Sequence, residues 1–277
     1  PLVIEKIIRK KVFPQIQNTK VKLLMKMPGV GKKVKKRICE QVYQAFGGNL
    51  YEVIIGGAAL NQEIESFLKD IDFPLTVGYG ATECAPIITY SDWHDFVPMS
   101  CGREVVHMEV KIDSENPETV PGEILARGLN VMLGYYKNDE ATAQTIDKDG
   151  WYHTGDLGLM DKGGNVFIKG RSKNMLLGPN GQNIYPEEIE DKLNSMTFAM
   201  ESVVVQRDGK LVGLVHPDFD EVQAMGLSRD DLQSLMEENR VQVNANLPVY
   251  CKIAAIEIHD EEFEKTPKKS IKRYLYK

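Results

Sequence analysis

The alternation of apolar and polar positions predicts two short buried strands on either side of a helix. The apolar runs are YEVIIGGAAL (51–60) and PLTVGYG (74–80), and both contain turn-forming glycines at their ends. Between them, NQEIESFLKD (61–70) has helical periodicity and begins at Asn61, a favourable N-cap residue. Strand, helix and strand in this order indicate a βαβ unit, whose parallel strands end at one edge of the sheet, where ligands bind.

A different pattern occupies the middle of the chain, from about residue 100 to residue 170. Short apolar segments are separated there by glycine, proline and aspartate: VVHMEVKI (105–112), GEILARG (122–128) and NVFIKG (165–170). This spacing predicts strands in a meander or a small barrel.

The C-terminal part has the pattern of a separate α+β module. NIYPEEIEDKLNSM (183–196) has Pro186 at the start of a predicted helix, followed at once by Glu187 and Glu188, which favour a helix N-terminus. Three apolar runs predict strands, and a polar helix is predicted between the last two: SVVVQR (202–207), KLVGLVH (210–216), KIAAIEI (252–258), with the helix near 228–246.

We therefore predict an α/β and α+β fold in two domains. Residues 1–171 would form the C-terminal part of a larger domain, with the βαβ unit and a small β-meander or barrel. Residues 172–277 would form a separate, small α+β domain.

Basic residues are concentrated near the start of the chain. Residues 1–46 contain twelve Lys and Arg but only Glu5 and Glu40 as acids. Apolar residues recur there at every fourth position, which indicates an amphipathic helix: Val30, Val34, Ile38, Val42 and Phe46. Its other faces are basic: Lys32, Lys33, Lys35, Lys36 and Arg37. Such a face either binds anionic lipid or a phosphorylated ligand, or is simply solvated.

Composition narrows the classes of function. The net charge of −6 argues against a nucleic-acid partner, and no apolar run is long enough to span a bilayer. The four cysteines are scattered, with no histidine at ligand spacing, so we expect no zinc site and a reduced, cytoplasmic compartment: Cys39, Cys84, Cys101 and Cys251. Peripheral contact with the inner membrane face is compatible with the basic helix. Because the first residue is Pro1 rather than Met, we expect the chain to be part of a longer protein.

Candidate chemistry is densest in VGYGATECAP (77–86), at the end of the second predicted strand. Tyr79 offers a ring face on which a base could stack, and Gly80 lets backbone approach a ligand closely. Thr82 offers a hydroxyl for a phosphate oxygen, and Glu83 offers the hard oxygen ligands that suit Mg²⁺. The alternative is an ordinary strand end with a capping threonine.

Two further turns could serve the same ligand. The glycine pair Gly56–Gly57 follows the first strand, where glycines most often serve a tight turn. In DGWYHTGDLG (149–158), the carboxylate of Asp156 could accept hydrogen bonds from two vicinal hydroxyls, such as those of a ribose. An aspartate beside glycine is also common turn chemistry.

A fourth segment is IKGRSKNMLLGPNGQNIYPEEIE (168–190), which joins a predicted strand to a loop rich in Gly, Pro and Asn. Arg171 and Lys173 lie at this junction, where a hinge or an anion contact is expected. The alternative is a linker between domains with solvated charges.

Together, in this order and spacing, the four segments resemble the adenylate-forming (AMP-binding) superfamily: acyl-CoA synthetases, luciferase-like ligases and nonribosomal peptide adenylation domains. The resemblance covers nearly the whole chain from about residue 50. GWYHTGD and GRSKNMLLGPNGQNIYPEEIE are most similar to bacterial long-chain fatty-acid–CoA ligases (AMP-forming). The resemblance implies an acid–thiol ligase that uses ATP, Mg²⁺ and coenzyme A. In such a ligase a fatty acid attacks the α-phosphorus of ATP, and coenzyme A then takes the acyl group and releases AMP.

The resemblance also implies roles for residues of the first domain. The loop Gly56–Ala58, including Gly57 and Ala58, would lie along the adenine, with Gly80 close to the nucleotide. Tyr79 would stack on the adenine. Thr82 would hold the α-phosphate and Glu83 the magnesium.

By the same resemblance, Asp156 and Arg171 would bind the ribose hydroxyls. Lys173 matches the hinge about which the small C-terminal domain rotates between the two half-reactions.

Two departures from the family pattern bear on activity. The glycine-, serine- and threonine-rich phosphate loop that ends in lysine is absent from the 277 residues, so we expect this chain alone to form no acyl-adenylate. In EKTPKKSIKRYLY (264–276), Ser270 stands where the family has its catalytic lysine. Lys268 and Lys269 precede it and Lys272 follows; we assign the catalytic role to Lys269, the alternative being a solvated basic tail.

Two other classes of function compete with a ligase. A non-catalytic nucleotide- or partner-binding member of the superfamily remains the alternative, because of the missing phosphate loop and Ser270. An NAD-linked oxidoreductase is disfavoured, because no GxGxxG turn follows a predicted strand.

Overall fold

A computed structural model describes residues 1–16, 23–25, 27–267 and 270–276 of the chain. The described residues form two compact units, Pro1–Ile168 and Lys169–Lys277. The predicted domain boundary after residue 171 and the hinge at Lys173 stay predictions.

The first unit begins with helices. They are α1 (Leu2–Ile7), a π-helical segment (Ile8–Val12), α2 (Phe13–Ile16) and α3 (Val30–Ala45). In α3, Val42 is buried while most of the basic side chains face solvent, as the amphipathic pattern predicts. Lys35 forms an ion pair with Asp70, whose Oδ1 lies 2.5 Å from the Lys35 Nζ. Within the described residues, no helix is long and apolar enough to cross a bilayer. Membrane contact through this helix stays a prediction.

The predicted βαβ unit is confirmed. Strand β1 (Val53–Ile55) is followed by α4 (Gln62–Asp70) and by β2 (Leu75–Val77), which pairs with β1 in parallel. The side chain of Asn61 accepts a hydrogen bond from the Ile64 N–H at 3.3 Å, so the helix begins where the sequence indicates. Helix α4 contributes the buried side chains of Ile64 and Leu68 to the core of this unit, and Ile71 and Phe73, which follow the helix, are buried in the same core.

Two further sheets complete the first unit, except that the last strand of the second sheet continues past Ile168 into the second unit. One contains β3 (Tyr79–Gly80), β4 (Ile87–Tyr90) and β5 (Arg103–Glu104). The other has the strand order β6-β7-β8-β9, with helix α5 (Asp139–Thr145) between β7 and β8: β6 Met108–Asp113, β7 Gly122–Gly128, β8 Tyr152–Met160 and β9 Val166–Arg171. Neighbours in sequence are neighbours in this sheet, so the meander is the correct alternative; over the described residues the sheet does not close into a barrel.

The second unit is the expected α+β module. Its elements are β10 (Leu176–Leu177), β11 (Asn183–Ile184), α6 (Pro186–Leu193), β12 (Ala199–Arg207), β13 (Lys210–Pro217), α7 (Phe219–Ala224), α8 (Arg229–Ala245) and β14 (Ile253–Ile258). Strand β13 pairs antiparallel with β12 and parallel with β14. Buried side chains of α6 and α8 form one core with this sheet, including Ile189, Leu193, Leu232 and Met236. Helix α8 begins with a capping box of Ser228 and Asp231.

Candidate nucleotide-binding site

The turn between β3 and β4 presents the predicted phosphate and metal residues. A Cβ on Gly80 would lie 2.0 Å from the carbonyl oxygen of Pro86, so only glycine lets the two strands approach this closely. The N–H of Ala81 donates to that same oxygen at 2.8 Å. One 3₁₀ turn (Thr82–Cys84) follows, in which the side chain of Thr82 is exposed and that of Glu83 is half-buried.

The segment after β7 holds this turn in place. The Asn130 side chain donates to the carbonyl oxygens of Cys84 (2.6 Å) and Ile87 (3.0 Å). The N–H of Met132 donates to the carbonyl oxygen of Glu83 at 2.7 Å. Sequence reasoning missed Asn130, because an asparagine just after a strand ordinarily indicates no more than a turn.

The carboxylate of Glu83 is oriented by a tyrosine. The hydroxyl of Tyr135 donates to Oε1 of Glu83 at 2.9 Å, and burial together with this carboxylate raises the pKa of Tyr135. Among the described residues there is no cluster of three or more His, Cys, Asp or Glu side chains that could hold a metal. A single half-buried carboxylate fits Mg²⁺ that takes its other ligands from substrate phosphates and water.

Tyr79 and Asp156, which are 77 positions apart, meet in the interior. The Tyr79 hydroxyl donates to Oδ2 of Asp156 at 2.6 Å, and both residues are 8% exposed. The carboxylate of Asp156 therefore lies beside the strand that leads directly into Thr82 and Glu83. The Tyr79 ring packs in the apolar core of this unit, which leaves little of its face for a base. Stacking on Tyr79 thus stays a prediction, whereas the proximity of Asp156 to the motif is a feature of the structure.

The loop Gly56–Ala58 begins at the same sheet edge. The N–H of Gly78 donates to the carbonyl oxygen of Ile55 at 2.8 Å, so the end of β1 adjoins the residue before Tyr79. Gly57 has φ of +81°, in the left-handed region that favours glycine, and the loop is exposed. The loop could line a ligand bound at this edge.

The other predicted site residues belong to the second unit. Arg171 and Lys173 are exposed, Lys173 within the 3₁₀ turn Ser172–Asn174. Lys269 lies outside the described residues, as does Lys268. Ser270 lies in a turn where its N–H donates to Oγ1 of Thr266 (3.3 Å) and its carbonyl oxygen accepts the Thr266 N–H (2.8 Å). The predicted roles of these residues stay predictions.

Comparison with known proteins identifies one matching family and several similar sequences. A family model described as "AMP-binding enzyme" matches residues 3–136. The chain is 38% identical over 178 residues to a long-chain-fatty-acid–CoA ligase of Escherichia coli O6:H1, covering 62% of this chain and 28% of that protein. It is 37% identical over 193 residues to the putative acyl-CoA synthetase YngI of Bacillus subtilis, covering 67% of this chain and 32% of that protein. The chain thus spans about a third of the length of these relatives.

Solved structures of the same fold include ATP-bound MatB from Rhodopseudomonas palustris, with a TM-score of 0.67, 22% identity, and coverage of 88% of this chain and 48% of that one. O-succinylbenzoate coenzyme A synthetase (MenE) from Bacillus subtilis, in complex with AMP, has a TM-score of 0.66 and 21% identity, over 87% of this chain and 49% of that one. At these identities the likeness establishes the fold.

Proposed function

Because the chain belongs to the AMP-binding family of adenylate-forming acyl-CoA ligases, we propose that it forms the adenosine-binding part of an ATP-dependent fatty-acid–CoA ligase. In this reaction a fatty-acid carboxylate attacks the α-phosphorus of ATP, and pyrophosphate leaves. The thiol of coenzyme A then attacks the carbonyl carbon of the acyl-adenylate, and AMP leaves. The observation that supports the proposal is the 2.6 Å contact between Tyr79 and Asp156, which brings together two of the residues proposed for nucleoside binding.

Binding of the nucleoside is the task of Asp156. Its carboxylate is acceptor-only when ionised and can accept hydrogen bonds from both hydroxyls of a ribose. Charge-assisted hydrogen bonds of this kind are stronger than neutral ones, and burial excludes competing water. The ribose would thus be fixed beside the turn that carries Thr82 and Glu83.

Displacement at the α-phosphorus, which transfers the adenylyl group, depends mainly on alignment and on offsetting charge. The exposed hydroxyl of Thr82 would donate to an oxygen of the α-phosphate. Glu83, oriented by Tyr135, would hold Mg²⁺, which would offset charge on the phosphates when bound. The side chain of Asn130 fixes the backbone of this turn, so that both groups are presented without a large ordering cost.

In the family, the cation that would offset negative charge on the phosphate is a lysine of the C-terminal domain. Ser270 stands at the family's lysine position, and a neutral hydroxyl cannot offset charge as an ammonium does. We propose Lys269 for this role, because it is the immediate neighbour of Ser270. We propose a medium- to long-chain fatty acid as the substrate, since relatives at 37–38% identity are named as acyl-CoA and long-chain fatty-acid–CoA ligases.

The experiment is isothermal titration of the 277-residue chain with AMP, together with an assay of fatty-acid-dependent pyrophosphate release. We expect AMP to bind, and Asp156→Asn to weaken binding about tenfold or more through loss of charge-assisted hydrogen bonds. Asp161→Asn is the matched control, because the hydrogen bonds that Asp161 accepts within the described residues come from Gly163 and Asn165 of its own turn. Unchanged AMP affinity in Asp156→Asn would contradict the proposal.

A second function is supported by Ser270 and by the missing phosphate loop: a member of the family that binds nucleotide without turnover. AMP binding by the longest natural form of the protein, without carboxylate-dependent pyrophosphate release, would favour it. Single alanine substitutions of Lys268, Lys269 and Lys272 in that form would show which lysine supports adenylation.

A further inference from the structure

The predicted turn at Asp156 is wrong: Asp156 lies within strand β8, at a point where the strand carries a bulge. Glu123 pairs with Leu157, and Leu125 pairs with His153, so β7 advances two residues while β8 advances four. Residues 154–156 therefore stand opposite a single residue of β7. A bulge of this kind removes ladder hydrogen bonds and changes the direction in which side chains point.

Side chains replace the missing ladder hydrogen bonds. The N–H of Gly155, whose φ is +70°, donates to Oε1 of Glu123 at 2.9 Å. The N–H of Asp156 donates to Oγ1 of Thr154 at 3.0 Å, and that hydroxyl donates to the carbonyl oxygen of Ile124 at 2.7 Å. The N–H groups of Gly155 and Asp156 are thus bound by side chains where the ladder between β7 and β8 is interrupted.

The second carboxylate oxygen of Glu123 contacts His153, which helps to fix the Glu123 side chain. Oε2 of Glu123 lies 2.9 Å from Nδ1 of His153, whose Nε2 lies 3.7 Å from Oδ2 of Asp147. Asp147 is itself fixed, because its Oδ1 accepts the N–H groups of Asp149 and Trp151, each at 2.9 Å. His153 and Glu123 are about a third exposed or less, so this chain of contacts is partly shielded from water.

We propose that Glu123 and His153 are positioning residues that aim the carboxylate of Asp156 at the ribose hydroxyls. The inference rests on the proposed nucleoside role of Asp156. Without Glu123, the N–H of Gly155 would lose its acceptor, and the bulge could relax toward another geometry. The carboxylate of Asp156 would then turn away from the position where it meets Tyr79. The sequence gives no sign of this role, since Glu123 occupies an ordinary polar position of a predicted strand.

The test compares two nucleotides that differ only in the groups that Asp156 would bind. AMP and 2′,3′-dideoxy-AMP are titrated into the full chain and into variants, and the ratio of the two affinities is the readout. We expect the native chain to prefer AMP. Glu123→Met keeps the length of the side chain without its acceptor and should lower AMP affinity about tenfold, leaving dideoxy-AMP affinity unchanged. Glu123→Gln should retain most of the preference, because its amide oxygen can still accept the Gly155 N–H.

The control is Glu109→Gln, which removes a carboxylate from the same sheet where it pairs with Arg127 at an exposed position; it should leave both affinities unchanged. If Glu123→Met does not fold, as judged by circular dichroism, His153→Phe provides the test, with a smaller loss confined to AMP. Equal loss of both nucleotides in a folded variant would show a general structural role and overturn the inference. A native chain with no preference for AMP would instead overturn the proposed role of Asp156, and the inference with it.

Discussion

A buried ion pair in the second unit gives the sharpest prediction about stability. Nη1 of Arg273 lies 2.7 Å from Oε2 of Glu190, and its Nη2 donates to the carbonyl oxygen of Val204 at 3.3 Å. The other oxygen of Glu190 accepts the Val204 N–H at 2.6 Å. The two side chains are 20% and 10% exposed, so water cannot replace a lost partner. The pair joins the C-terminal segment to α6 and β12.

Replacing Arg273 by methionine leaves the carboxylate buried with a backbone N–H as its remaining partner in this group. Removing one partner of a buried ion pair costs about 3–5 kcal/mol, and the retained N–H favours the lower end, about 3 kcal/mol. Burial already raises the pKa of Glu190 above its ordinary value of 4.5, although Arg273 opposes the shift. Loss of Arg273 should raise it further, so that the carboxyl is protonated more readily in the folded protein.

The sign of the pH dependence follows from this direction. For an acid whose folded pKa is raised, the linked stability is present below the unfolded pKa and is lost as pH rises through the folded pKa. The destabilisation by Arg273→Met should therefore be large at about pH 7.5 and smaller at about pH 4.5, where more of the buried carboxyl is neutral.

Hydrogen exchange followed by mass spectrometry on peptides of β12 and β13 measures this change. Tryptophan fluorescence cannot report on this unit, because Trp93 and Trp151 both belong to the first one. A loss of about 3 kcal/mol corresponds to a roughly hundredfold decrease in protection.

Arg207→Met is the matched control. Arg207 also lies 2.7 Å from a glutamate, Glu257, but these side chains are 38% and 51% exposed, so its removal should cost less than about 1 kcal/mol. Equal effects of the two substitutions, or an Arg273→Met effect that does not change with pH, would refute the reasoning.

Three further predictions concern the first unit, whose unfolding can be followed by tryptophan fluorescence. Gly80→Ala should destabilise this unit by about 1–3 kcal/mol, because the new Cβ would lie 2.0 Å from a carbonyl oxygen. Gly56→Ala, whose Cβ would lie 3.4 Å from a carbonyl oxygen, should cost much less, and equal unfolding midpoints of the two variants would contradict this. Asn130→Ala should cost about 1–3 kcal/mol, since two carbonyl oxygens lose their donor, and an unchanged midpoint would exclude that role. Burial raises the pKa of Cys84 to about 11 and that of Cys101 to about 12. Both thiols should therefore resist alkylation at neutral pH until the chain is denatured, which peptide mapping would show. Rapid labelling of either cysteine in the folded chain would contradict this packing.

Elements with strong local signals could be predicted from sequence. Asn61 at the start of α4, the two parallel strands around that helix and Pro186 at the first turn of α6 all depend on residues within a few positions of each other. Elements with weaker local signals were not predicted from sequence. They include helix α5, which has no buried residue, and the two-residue strands β10 and β11. Short elements like these form because the surrounding chain holds them, not because of their own pattern.

The order of motifs along the chain indicated the family and nominated Thr82, Glu83 and Asp156. Only the tertiary structure brought Asp156 to Tyr79 across 77 positions and Arg273 to Glu190 across 83 positions. Only strand register placed Glu123 beside the Gly155 N–H, since the partner of a residue in a bulge depends on how the two strands pair. Periodicity and capping are properties of a few adjacent residues, whereas hydrogen bonds between distant side chains depend on packing that the whole unit decides together.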